Sequence, residues 1–248
     1  MAFKKRETTE PAKRIHAYVA TPAYDGRVLT DYAISLAESI QHATLHGIQT
    51  TAAVMGNGAF IELARNTFVQ LFLKTDCTHL FFIDADLRWE ARAYSGLLAS
   101  GLPICAGVYP KRQDPEEFPC HWMNNEDGTI QMAESWVVCD RVPTGFLCIE
   151  RRIVEEMVKD CRMIGAKTEV SETQPYLFET YINERSDFVG EDFAFCAKYV
   201  EKYGRGIPVY PDFNFTHGVR WKGNMHEWLN KLAETAQAKQ AAETSVAA

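Results

Sequence analysis

Between Arg14 and about residue 230 the chain alternates short apolar runs with stretches whose apolar residues recur every three to four positions. The first pattern marks strands and the second amphipathic helices. Ile15 to Ala20 reads as a first strand, ended by Thr21 and Pro22. Thr30 is placed to cap a helix that carries Ala33, Leu36, Ala37 and Ile40 on its apolar face and stops at Gly47. IQTTAAVM (48–55) is the next strand candidate, broken by Asn57 and Gly58. A helix follows with Ile61, Ala64, Phe68, Leu71 and Phe72 on one side. HLFFI (79–83) is apolar throughout, as expected of a central strand buried on both faces, and it ends in Asp84-Ala85-Asp86. The order β-α-β-α-β predicts an α/β fold: one Rossmann-like domain with an open, mixed, mainly parallel sheet flanked by helices.

The second half is less regular. ICAGV (104–108) gives a strand, followed by Tyr109-Pro110-Lys111-Arg112. Residues 113–135 read as loop, 136–139 and 145–149 as strands, and 151–161 as a helix with Ile153, Val154, Met157 and Val158 inward. Residues 165–189 look irregular. Gly190 precedes a helix over 191–203, which Gly204 ends, and IPVY (207–210) leads into the polar segment 211–224. The expected organisation is a polar tail at 1–13, one domain at 14–230 and an Ala-rich tail at 231–248, without internal repeats.

Composition narrows the classes. Hydrophobic residues at 46% and charged residues at 24% are globular values and exclude wholesale disorder. Lys and Arg number 26 against 33 Asp and Glu, a net charge of −7, which argues against a nonspecific nucleic-acid binder. No apolar run approaches the roughly 18–20 residues that a membrane span needs. The basic N-terminus lacks an apolar segment behind it, so it does not read as a secretory signal. Seven Cys without a CxxC pair read as reduced thiols, mostly small core residues, in a cytoplasmic protein. Oligomeric state is not legible.

In open α/β sheets ligands sit beyond the carboxyl ends of the strands. That rule gathers residues 21–25 and 84–86 at one site. Asp84 and Asp86 can hold a hard divalent cation, or serve as a solvated loop or helix cap. Glu191 and Asp192 open a helix, where acids suit the dipole, and either can act as a base toward an acceptor hydroxyl. His217 is a candidate metal ligand, and Arg220 and Lys222 can neutralise a leaving diphosphate. Arg65, in ARN (64–66), is a fixed cation suited to phosphate or carboxylate. Thr21, Pro22, Tyr24 and Asp25 form either a nucleotide pocket or a plain turn. Trp89, Tyr109, Lys111 and Arg112 are candidates for the sugar or acceptor side, or for packing. His42 with His46, and Cys120 with His121, lack the spacing and company of a metal site.

Taken in order, these segments resemble the GT-A-fold glycosyltransferases, and within them the inverting family-2-like enzymes, over about residues 15–225. The most specific match is GAFIELARNTFVQLFLKTDCTHLFFIDADL (58–87), which is similar to that family's Ala-Arg-Asn helix followed by its D-x-D strand. The resemblance implies a nucleotide-sugar donor, by default a uridine diphosphate sugar, and Mn²⁺ or Mg²⁺. It assigns ribose and metal contact to Asp84, metal ligation to Asp86 and His217, and nucleotide contact to residues 21–25, Ala85 and Arg65. It further assigns diphosphate contact to Lys222, room for the sugar to Gly145 in PTGFLCIERR (143–152), and the role of base to Asp192 beside Glu191. Leu87 stands where many members carry a further Asp, and the His-Gly…Lys segment is also reminiscent of retaining enzymes, so both stereochemical outcomes stay open. The acceptor is open as well: a glycan, a protein, a small molecule or a modified nucleic acid. A nucleotidyltransferase is the rival reading, although TPAYDGR (21–27) offers only one Gly where such enzymes carry a Gly-rich basic loop. A non-catalytic nucleotide-sugar or glycan-binding module is a further rival, and a glycoside hydrolase would need two carboxylates but no cation site.

Overall fold

The computed structural model describes residues 14–56, 60–165 and 173–246. The expected tail at 1–13 and the break at Asn57 and Gly58 lie outside the described residues. The first half runs β1 (His16–Pro22), α1 (Thr30–Leu45), β2 (Gln49–Met55), α2 (Ile61–Leu73), β3 (His79–Ile83), β4 (Leu87–Trp89), α3 (Ala91–Ala99) and β5 (Ile104–Ala106). The second half opens with β6 (His121–Trp122), β7 (Met132–Ala133), β8 (Trp136–Arg141), β9 (Phe146–Glu150), α4 (Arg151–Val158), β10 (Met163–Gly165) and β11 (Thr173–Pro175). It closes with β12 (Tyr181–Ile182), β13 (Phe188–Val189), α5 (Glu191–Tyr203), β14 (Ile207–Val209), β15 (Asn214–His217), β16 (Trp221–Asn224) and α6 (Met225–Val246).

The main sheet has the order β2-β1-β3-β9-β5-β14-β8-β6, with β7 also on β8. β1 pairs in parallel with β2 and β3, and β5 with β14; β8 and β9 run against all their neighbours. The sheet is therefore mixed, with most strands pointing one way, and helices cover both faces. Leu80 and Phe82 of β3 join a core layer with Phe68 and Phe72 of α2 and Phe195 and Tyr199 of α5. Phe81 and Ile83 join the opposite layer with Tyr32 of α1 and Tyr94 and Leu97 of α3. The continuous apolar run of β3 is the consequence of burial on both faces.

The structure differs from the sequence reading at several elements. In α1 the buried positions are Tyr32, Ser35, Ser39 and Ala43, while Ala33 and Ala37 face solvent. The serines are inside because they accept from Trp89: its backbone N–H lies 3.2 Å from Ser35 Oγ and its Nε1 lies 2.8 Å from Ser39 Oγ. Leu29 precedes the helix and Thr30 is its first residue, so Thr30 does not cap it. The sequence reading missed α3, although Ala93, Tyr94, Leu97 and Leu98 have helical spacing and are buried. The polar segment 211–224 supplies two strands of a second sheet, in the order β16-β15-β4. Segments 113–135 and 173–189 also hold short strands, and the part of the irregular reading that falls on 166–172 lies outside the described residues. The helix α6 runs unbroken across residue 230. Cys77, Cys105, Cys139, Cys148 and Cys196 are buried free thiols, while Cys120 and Cys161 are half-buried. No helix among the described residues is long and apolar enough to cross a membrane.

Candidate active site

Strand pairing assembles the site. β1 and β3 are parallel neighbours, so their carboxyl ends at Pro22 and Asp84 lie side by side. The antiparallel partner β9 begins opposite the end of β3, with Ile83 against Phe146. That register sets Gly145 beside Asp84, whose N–H donates to the Gly145 carbonyl at 3.0 Å. The N–H of Leu29 donates to the Ala85 carbonyl at 2.9 Å, which ties the chain after β1 to the D-x-D.

The Asp84 side is closed. Tyr109 donates its hydroxyl to Asp84 Oδ2 at 3.0 Å, and Arg65 Nη2 lies 3.4 Å from Asp84 Oδ1. A Cβ on Gly145 would collide with Asp84 Oδ2 and the Tyr109 hydroxyl, so a side chain is excluded there. Arg65 is buried on α2, and its Nε lies 3.4 Å from Glu191 Oε1 at the start of α5. Burial alone would lower its pKa, but Asp84, Glu191 and Asp192 outweigh that and raise it, so the guanidinium stays charged. The same burial pushes the carboxyls of Glu191 and Asp192 up, with Arg65 opposing. Burial and the Asp84 charge push the Tyr109 hydroxyl well up, which keeps it a donor. Among the described residues, Arg65 Nε and Nη1 and Thr144 Oγ1 are buried without a hydrogen-bond partner. Buried donors in that state are uncommon and mark a place where a ligand can complete the bonding.

The Asp86 side is open. The hairpin β15–β16 pairs with β4, with His217 opposite Leu87, and this brings the imidazole to the D-x-D. His217 Nε2 lies 3.7 Å from Asp86 Oδ2, and the Arg112 guanidinium also contacts that carboxylate. His217 Nδ1 is 2.9 Å from the Pro110 carbonyl. A carbonyl only accepts, so Nδ1 carries the proton and the Nε2 lone pair faces Asp86. Burial lowers the His217 pKa against the pull of Pro110, which keeps the ring neutral. A neutral imidazole nitrogen beside a carboxylate is a donor pair that fits a divalent cation, and the contact with Arg112 shows that the carboxylate attracts positive charge. Next to it lies a cavity of about 370 Å³ whose lining carries three cations, Lys111, Arg220 and Lys222, and two acids, Asp114 and Glu116. Arg220 stacks on Trp221 at 4.3 Å.

Several expected site residues stand elsewhere. Asp84 does not join Asp86 and His217 in a three-ligand cluster; its oxygens are engaged by Tyr109 and Arg65. Thr21 is fully buried and its hydroxyl is bonded to that of Tyr32, so it is part of the scaffold. Trp89 is also core: it is buried, bonded to Ser39 and packed on Tyr32 and Phe146. Pro22 ends β1 half-buried, and Tyr24 is 78% exposed. Asp25 accepts the Arg27 N–H at 3.1 Å in a turn. Lys111 pairs with Glu117 at 2.5 Å while lining the cavity. Sequence reasoning missed the part played by Asn66. Its side chain accepts the N–H groups of Leu177 and Phe178 at 2.9 Å each and donates to the Phe178 carbonyl at 2.7 Å. It thus pins to α2 the chain that leads to α5. The available signal was a polar residue at a buried helical position between Ala64 and Phe68. Nothing in the sequence singled out Thr144.

No family model matches this chain, and no curated protein matches it. Among solved structures it is similar to the inositol-1-phosphate CTP transferase from T. maritima, at 12% identity and a TM-score of 0.41, over 84% of this chain and 89% of that one.

Proposed function

We propose that this chain is a metal-dependent glycosyltransferase that moves a sugar from a nucleotide diphosphate sugar, with a uridine diphosphate sugar the favoured donor, to an acceptor hydroxyl with inversion. One observation carries the reading: the acids gathered on Arg65 and a cavity that holds Lys111, Arg220 and Lys222 flank the D-x-D, the cavity reaching it through Pro110 and His217. The open side carries Arg220 and Lys222, with Lys111 on Glu117 and Arg112 on Asp86; beside the acids Asp114 and Glu116, these cations can meet a diphosphate, whose negative charge grows as it leaves. The closed side, floored by Gly145, suits the uncharged sugar ring and its hydroxyls.

Asp192 is the base. Its raised pKa brings proton affinity toward what a general base needs near neutrality. The acceptor oxygen attacks the anomeric carbon, the bond from that carbon to the diphosphate oxygen breaks, and the hydroxyl proton passes to the Asp192 carboxylate. Glu191 is held by Arg65 and is a positioning group rather than the proton acceptor. Arg65, placed between Asp84 and Glu191, offsets part of the repulsion among three carboxylates; burial and the remainder of that repulsion hold the Glu191 and Asp192 pKa values up. Asp86 and His217 are the residues that would hold Mn²⁺ or Mg²⁺, which when bound supplies Lewis-acid charge at the diphosphate.

A thermal-shift panel of nucleotide sugars with and without Mn²⁺ tests the reading. The expected result is a cation-dependent shift with one class of donor that Asp86→Ala removes. No shift with any donor, or one unchanged in Asp86→Ala, refutes it. Release of pyrophosphate from a nucleoside triphosphate and a sugar phosphate would assign nucleotidyl transfer instead.

A further inference from the structure

A second group of metal-type ligands lies at the other end of the same strands. His16 opens β1, and Asp76 and Cys77 lie in the connection from α2 to β3. His16 Nδ1, an Asp76 carboxylate oxygen and Cys77 Sγ all fall within 4.8 Å of one another. His16 Nδ1 is 3.7 Å from Asp76 Oδ1. From His16 to the end of β1 at Pro22 is about 20 Å at the usual rise per residue, so this group is remote from the D-x-D.

The histidine is oriented from behind. Its Nε2 lies 2.9 Å from Thr51 Oγ1 on β2. With the ring proton on Nε2 and donated to that oxygen, the Nδ1 lone pair faces Asp76 and Cys77. This is the arrangement by which a neighbouring polar group fixes the tautomer of a ligating histidine. The backbone is held as well: the His16 N–H donates to Thr78 Oγ1 at 2.9 Å, and the Thr78 N–H donates to the His16 carbonyl at 2.7 Å. Arg151 Nε donates to the Cys77 carbonyl at 2.6 Å. Cys77 is buried, whereas the Asp76 side chain is 94% exposed and so has space to swing inward.

We propose that His16, Asp76 and Cys77 form a Zn²⁺ site with its fourth position open to water. One thiolate, one imidazole and one carboxylate make a donor set that favours Zn²⁺ over the harder Mg²⁺ and Mn²⁺. Bond lengths of about 2.0–2.3 Å in a tetrahedron place ligand atoms roughly 3.3–3.6 Å apart, so closure needs movements on the order of an ångström. Binding releases the Cys77 thiol proton to solvent. The ion would clip the start of β1 to the entry of β3 and, through Thr51, to β2. The inference does not depend on the proposed glycosyl transfer.

Titration of the chelator-stripped full chain with Co²⁺, followed by absorption and then by Zn²⁺ displacement, tests it. The expected result is one tight equivalent with a thiolate-to-cobalt charge-transfer band, displaced by Zn²⁺. A cation held by Asp86 and His217 has no sulfur and gives no such band. Cys77→Ser should abolish the band, and the surface change Asp76→Asn should weaken binding at least tenfold. Thr51→Val should weaken it about 10–100-fold, the usual effect of losing an outer partner. If Cys77→Ser fails to fold, His16→Gln decides by the same band. No band in the wild-type chain, or a band that persists in Cys77→Ser or His16→Gln, overturns the proposal.

Discussion

Asp84 and Asp86 are two residues apart, yet their surroundings have opposite character. Asp84 sits among buried neighbours: Arg65 lies between it and Glu191, and Tyr109 donates to its remaining oxygen. Asp86 meets the exposed Arg112 and the Nε2 of His217, next to a cavity lined by Lys111, Arg220 and Lys222 together with Asp114 and Glu116. The comparison teaches how a D-x-D at a strand end divides its labour. Alternation along a strand would put residues two apart on one face; the turn that follows β3 breaks that regularity, so Asp84 stays with the buried Arg65 and Tyr109 while Asp86 meets His217 and Arg112.

Five perturbations would break or sharpen that contrast. The largest effect belongs to the base. Asp192→Asn should lower transfer by about 10²–10⁴-fold while donor binding persists, measured by turnover alongside donor thermal shift. Near-normal turnover would move the role of base to another residue, with Glu191→Gln the first comparison. Arg65→Ala should unfold the closed side, because removing one partner of a buried ion pair costs about 3–5 kcal/mol. Denaturant titration measures this, and a loss below 1 kcal/mol would mean that Asp84 and Glu191 find other partners.

Gly145→Ala should cost about 1–3 kcal/mol, since the new methyl meets Asp84 and the Tyr109 hydroxyl. It should also reduce transfer more than it reduces cation binding on the Asp86 side. A variant with unchanged stability and turnover would show that this floor yields easily.

The pH profile separates the two sides without mutation. Asp192 and Glu191 have raised pKa values in the fold, so the acid limb of kcat/KM should lie above the ordinary aspartate value of 3.8. The sign for stability follows the same shift. The folded state holds these protons more tightly than the unfolded state, so their contribution to stability falls as pH rises from the ordinary carboxyl value through the raised one. An acid limb at or below the ordinary value would contradict the burial argument. The smallest effect is expected of Lys222→Ala on the exposed strand β16, where the donor KM should rise only a few-fold with kcat little changed. A large fall in kcat would place Lys222 at the reacting bond.

Much of the scaffold was legible because its signals are local. HLFFI reads as a doubly buried strand from its apolar run alone, and Gly204 ends α5 with the left-handed conformation expected of a terminal glycine, φ 63°. The inward face of α1 was not legible. Ser35 and Ser39 are buried only because Trp89, fifty residues or more away, supplies their donors. The same holds for Trp89, which reads equally as a sugar-side contact or as packing; its indole N–H on Ser39 makes it core. The strands of the polar segment 211–224 were not legible because they are short and polar; β4 gives them a partner.

The chain by itself determined which residue types reach the strand ends, because apolar periodicity fixes where each strand and helix stops. The D-x-D, the buried-face arginine of α2 and the acids opening α5 all follow from that. Only the tertiary structure decided how these groups sort into a closed and an open half. Pairing of β3 with β9, and of β4 with β15, joins residues 60 to 130 positions apart. Those contacts, not local sequence, set which oxygen meets a guanidinium, which meets an imidazole, and which is left for a ligand.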